Sequence, residues 1–182
     1  MEKEWIEVAD TAIKIGLGAM ISGGFTYLGV KFTKQSEMRK YSIEHKTKLL
    51  EEISSDIEGY FSSWDSYIFQ VSGIARRRAK LDKESEPLTQ HQIELIKEKD
   101  RAIAKDWFLY DKALSKSRLI SAKDVALHLI EARALVKEFR DHIIFENNFY
   151  THAEVNVYKD KANTHKANVH NALAQFYDKI HS

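Results

Sequence analysis

From Leu50 onward the apolar positions recur every three or four residues, the spacing of one helix face. Leu50, Ile53, Ile57, Tyr60, Trp64, Ile68, Val71 and Ile74 make the first series, and Ile93, Ile96, Ile103, Trp107 and Leu114 a sparser second. Val125, Leu129, Ala132, Val136, Phe139 and Ile143 make a third. Leu127, Ile130, Leu135 and Ile144 widen its apolar arc, which marks it as the central helix. Val155, Ala162, Val169, Leu173, Phe176 and Ile180 carry the same period to the end.

Two breaks divide this pattern. "DKESEPLTQ" holds the chain's one proline, Pro87, and the residue before a proline disfavours the helical region. "SKSRLISAKD" clusters serines, and Ser121 with Asp124 fits a capping signal for a new helix. Asn147-Asn148 is a weaker candidate bend. Helices are therefore predicted over about 35–85, 89–117 and 122–181. The first would run roughly 75 Å at about 1.5 Å per residue, the second folds back along its distal half, and the third returns along the whole of it. An elongated, coiled-coil-like antiparallel three-helix bundle results, with only two helices at the end nearest the N-terminus. Two helices bury apolar stripes poorly, so a second copy of the chain is expected there.

Residues 15–30, "IGLGAMISGGFTYLGV", break the pattern: they carry no charge and five of the chain's seven glycines. A hydrocarbon core of about 30 Å asks for about 20 helical residues. Residues 12–32 supply that length if Lys14 and Lys31, near the ends, carry their ammonium groups to the headgroups. Trp5 on one side, and Tyr27, Phe32 and Tyr41 towards the other, suit membrane interfaces. A membrane-spanning helix over residues 1–33 and a bundle over 34–182 follow as the expected domains. The first ten residues are acidic, whereas Lys31, Lys34, Arg39 and Lys40 open a basic junction. Positive charge stays inside, so the expected topology is single-pass, N-terminus outside and bundle cytoplasmic. The same basic set would meet anionic lipid headgroups.

Glycine in a helix costs about 1 kcal/mol against alanine, so five need a reason. Ala12, Gly16, Ala19 and Gly23 make one ridge of small residues; Gly18, Ser22 and Gly29 make another. Such ridges let two helices approach closely in lipid, which predicts a homo-oligomer. In a sharper version the spans line a pore or perturb the bilayer, with Lys14 as the polar residue. A phosphate-binding loop is excluded by spacing, since neither G-x-G-x-x-G nor G-x-x-x-x-G-K-[ST] is present.

Composition adds exclusions. With 28 basic and 27 acidic side chains, no global field draws nucleic acid. The lack of cysteine removes disulfides, thiolate metal sites and cysteine nucleophiles. His128, Glu131, Glu138, His142 and Glu146 share a face, but without the E-x-x-H spacing of di-iron bundles they read as a solvated stripe. His165 and His170 read as surface or packing residues. No serine sits in a G-x-S-x-G elbow. No enzyme activity, metal or cofactor is expected.

"ARRRAKLDK" (75–83) is the strongest basic run, but acidic Asp82, Glu84 and Glu86 dilute it. A solvated helix end is its expected role. The expected function is thus a membrane-anchored, self-associating interaction or effector module that meets lipid, itself and an unidentified protein. A soluble adaptor touching nucleic acid through residues 76–80 is the alternative.

Overall fold

The computed structural model describes residues 2–146 and 148–182, with side chains from Thr26 onward. The described residues form four helices and no strand: α1 (Glu2–Lys80), α2 (Gln90–Leu119), α3 (Lys123–Ile144) and α4 (His152–His181). The all-α class is as expected. The chain divides into two units, residues 1–45 and 46–182. Helix α1 runs through both.

In the second unit, cross-helix pairs give the topology. Lys116 on α2 meets Asp56 at 2.7 Å and Glu52 at 3.0 Å on α1, and Ser63 donates to Asp106 farther along. Numbers rise on one helix as they fall on the other, so α1 and α2 are antiparallel. Arg133 with Asp111 and Arg140 with Asp100 give the same relation between α3 and α2. His170 with Glu58 and Lys166 with Asp65 give it between α4 and α1. Residues 46–80 of α1 and the other three helices form an up-down-up-down four-helix bundle.

The expected single helix over 122–181 is thus two helices, and the three-helix bundle is corrected to four. Thr151 caps α4: its hydroxyl accepts from the Glu154 amide at 3.3 Å, while the Glu154 carboxylate accepts from the Thr151 amide at 2.8 Å. This capping box satisfies two helix-end donors at once. The expected two-helix end is corrected with it. Lys116 of α2 reaches Glu52, and His181 of α4 lies 3.1 Å from the Thr47 hydroxyl, so more than two helices meet at that end.

Helix ends depart from expectation for one further reason. Helix α1 stops at Lys80 rather than near residue 85, and Asp82 has a left-handed backbone with φ 53°. The Lys83 amide donates to Arg78 O at 2.9 Å and the Asp82 amide to Ala79 O at 3.2 Å, a Schellman closure. Ser121 repeats it after α2, with φ 62°, Ala122 N to Ser117 O at 2.8 Å and Ser121 N to Arg118 O at 3.1 Å. A left-handed Ser121 does not have the extended backbone that an N-cap needs. The expected Ser121–Asp124 cap does not form, and Ala122 occupies the cap without a side-chain bond.

The core is aromatic. Trp64, Tyr60, Tyr67, Tyr110 and Phe139 are its largest fully buried side chains, joined by Ile53, Ile57, Ile103, Leu129 and Val136. Each contributes about 1.5–3 kcal/mol by leaving water. Tyr67 meets Phe139 edge-on at 5.8 Å, and Phe139 stacks on Tyr150 at 5.1 Å. A Cβ on Gly59 would stand 2.9 Å from Leu109 Cδ1, so the missing side chain lets α2 pack close to α1 there.

Candidate functional site

Of the residues expected to meet lipid or a second copy, Gly29, Lys31, Phe32, Lys34, Arg39 and Lys40 have described side chains. Trp5, Ala12, Lys14, Gly16, Gly18, Ala19, Ser22 and Gly23 lie outside them, as does Asn147 of the candidate bend. Residues 26–42 are exposed throughout. Tyr27, Phe32, Met38 and Tyr41 are 69%, 67%, 67% and 72% accessible. At about 100° per residue, Tyr27, Val30, Lys34, Met38, Tyr41 and His45 fall within about 80° of arc, while Leu28 and Phe32 lie on another face. Tyr41 and His45 stack with ring planes 3° apart, and Thr33 donates to Gly29 O at 3.0 Å. Space beside Gly29 is open. Lys31, Lys34 and Arg39 have no acidic partner among the described residues, and Lys40 stands 4.0 Å from Glu44. This is a basic helix surface with aromatic side chains in solvent. Among the described residues no helix is long and apolar enough to cross a membrane.

Inside the bundle a different polar group lies between α2 and α3. Arg140 donates to both Asp100 oxygens, at 2.5 and 3.1 Å, and its guanidinium lies 4.8 Å from the Trp107 ring. Arg133 sits over Trp107 and Tyr110 and bonds Asp111 at 3.2 Å. Burial alone would lower the Arg140 pKa, but the Asp100 bonds and charge outweigh it and raise it. Burial raises the Tyr60 and Tyr67 pKa values well above the usual phenol range; Arg133 and Arg140 oppose this in part. Such phenols hold their protons at neutral pH and are poor proton-transfer groups. The group clamps α2 to α3.

The histidine stripe of α3 divides into local pairs, His128 with Glu131 at 2.9 Å and His142 with Glu146 at 3.0 Å. Glu138 instead accepts from Tyr158 of α4 at 2.5 Å. Among the described residues no three such side chains converge on a metal position. His170 sits edge-on to Phe61 at 6.1 Å and 3.4 Å from Glu58, a packing residue at the α1–α4 seam.

The basic run is a solvated helix end at Arg76, Arg77 and Lys80, as expected, and departs from it at Arg78. Arg78 is 5% accessible and turns inward, donating to Glu84 O at 3.0 Å, to Pro87 O at 3.3 Å and to Glu86 O. It holds the loop after α1, and Glu84 in turn accepts from the His152 amide at the start of α4. A cleft of about 720 Å³ lies among these loops and Ile143, Ile144 and Phe149. Arg78 stands four residues after Ile74 and continues the buried series at the next helical step, whereas Arg76 and Arg77 lie off that face and remain exposed.

No protein-family model matches this chain, no curated protein is similar to it, and no solved structure resembles it.

Proposed function

We propose that this chain is a membrane-anchored protein whose N-terminal helix spans the bilayer once and self-associates, presenting the bundle in the cytoplasm as an interaction module. The carrying observation is the contrast within α1. Aromatic and apolar side chains of residues 26–41, from the end of the uncharged stretch onward, are exposed, whereas among the described side chains buried core positions begin at Leu50. Within the second unit, Ile53, Tyr60 and Trp64 of α1 belong to one buried core with residues of α2, α3 and α4. Lys31, Lys34, Arg39 and Lys40 suit anionic headgroups, and Phe32, Tyr27 and Tyr41 suit the interface.

The span itself rests on the sequence of residues 12–32, most of which precede the described side chains. Self-association rests on the small-residue ridges of Ala12, Gly16, Ala19 and Gly23 and of Gly18, Ser22 and Gly29. Exposed Phe108, Leu119 and Leu127 on the bundle support a protein partner. The nucleic-acid alternative is weakened, because Arg78 of its basic run is committed to loop carbonyls. Alkaline carbonate washing of membranes holding the full chain is the test. Retention in the pellet is expected, and release into the supernatant contradicts the anchor.

A further inference from the structure

Between the C-terminal part of α1 and the start of α2 lies a groove of about 400 Å³. Its polar wall is Gln70, Arg76, Arg77 and Lys80 from α1 and His91 and Gln92 from α2; no Asp or Glu lines it. Ile74 and Leu95 give it an apolar floor. We propose that this groove binds a small phosphate-bearing molecule of nucleotide size, its phosphate held by Arg76, Arg77 and Lys80.

Three observations carry the assignment. The first is charge without a partner. Several cations between helices of this bundle meet an acid: Lys116 with Asp56, Arg133 with Asp111, Arg140 with Asp100, Lys166 with Asp65. Arg76, Arg77 and Lys80 also line a space between two helices, yet among the described residues no hydrogen bond or ion pair engages their side chains. Guanidinium forks match phosphate oxygens two at a time.

The second is Gly73. A glycine inside an exposed helix is about 1 kcal/mol worse than alanine, and at Gly73 nothing lies within 4 Å of where a Cβ would stand. No packing contact requires the missing side chain. Its effect is to leave the groove open one turn before Arg77. The third is the start of α2, which has no acidic residue in its first turn, so no carboxylate from that turn opposes an anion there.

Size and surroundings select a small ligand over a polymer. The volume lies at the low end of small-molecule sites. Arg78 points away from the groove, and Asp82, Glu84 and Glu86 follow at once and repel a continuing phosphate backbone.

The test is isothermal titration of the full chain in a non-ionic detergent with pyrophosphate, with ADP and with a dT oligonucleotide of about 20 residues. Saturable binding of ADP or pyrophosphate is expected. It should weaken about tenfold or more in Arg77→Ala/Lys80→Ala, which removes charge-assisted bonds. Gly73→Leu is the sharper variant, because it keeps every charge and improves helix propensity. It should abolish binding while the melting temperature stays equal or rises. Unchanged affinity in Gly73→Leu, or no binding of either small phosphate at millimolar concentration, would overturn the site. So would binding of the oligonucleotide alone, since that marks a diffuse surface for polyanions.

Discussion

Helix α1 meets two surroundings along one unbroken backbone. Between Leu50 and Ala75 its residues at every third or fourth position are buried, among them Ile53, Ile57, Tyr60, Trp64 and Val71. Between Thr26 and Tyr41 it carries equally large apolar side chains, Tyr27, Val30, Phe32, Met38 and Tyr41, and all are exposed. Helical periodicity alone does not distinguish the two stretches; what differs is whether other helices of the chain cover the stripe. A long isolated helix gains little from propensity, and most helix stability in proteins comes from packing an apolar face. Lipid with a second copy is the proposed cover for the bare stretch.

Substitutions ranked by size sharpen this contrast. Trp64→Ala should lower the stability of the bundle by about 4 kcal/mol in chemical denaturation, by removing a fully buried ring. Arg140→Met should lower it by about 3 kcal/mol, because Asp100 would keep its charge with no partner in a mostly buried site. Arg140→Met combined with Asp100→Leu should recover most of that loss, so equal losses in single and double variants would remove the ion pair from the explanation. Thr151→Ala should cost about 1 kcal/mol by deleting the α4 cap.

Alkaline pH gives a smaller, signed effect. Tyr60 and Tyr67 hold their protons more tightly folded than unfolded. Their contribution is complete below the unfolded phenol pKa of about 10 and is lost as pH rises above it towards the higher folded values. Unfolding should accompany tyrosine ionisation read at about 295 nm. Neither hydroxyl has a hydrogen-bond partner among the described residues, so Tyr67→Phe should leave stability equal or slightly higher and reduce the alkaline loss. Smallest of all, Met38→Ala or Tyr41→Ala should stay within about 0.5 kcal/mol in bundle unfolding. A loss near that of Trp64→Ala would erase the contrast between the two stretches.

The helical class and most of the core were legible, because three-and-four spacing of Leu50, Ile53, Ile57, Tyr60 and Trp64 follows directly from helix geometry; buried Phe61, Tyr67 and Tyr110 fell outside the series, and Leu127 and Ile130, expected to widen the α3 arc, are exposed. The Pro87 turn was legible for the same kind of reason. Two helix ends were not, since their left-handed residues are Asp82 and Ser121 where glycine is the usual signal. The break before α4 was readable in Thr151-x-x-Glu154, the same pattern sought at Ser121, but continuous apolar spacing on either side concealed it. Arg78 was legible in part: it follows Val71 and Ile74 on the buried face, but the loop carbonyls that satisfy its guanidinium are brought back only by the turn. The groove beside it, with Gly73 and the first turn of α2, likewise exists only once two helices are packed. The proposed span falls chiefly before Thr26, so its solvent is a matter for experiment.

Subunit mass in one mild detergent, for the full chain and for residues 34–182, tests most directly where α1 finds its cover. A full chain larger than one subunit and a monomeric, cooperatively melting truncated bundle are expected. A truncated chain that loses its cooperative melt would contradict this, because residues 1–33 would then belong to the core rather than to lipid and a second copy.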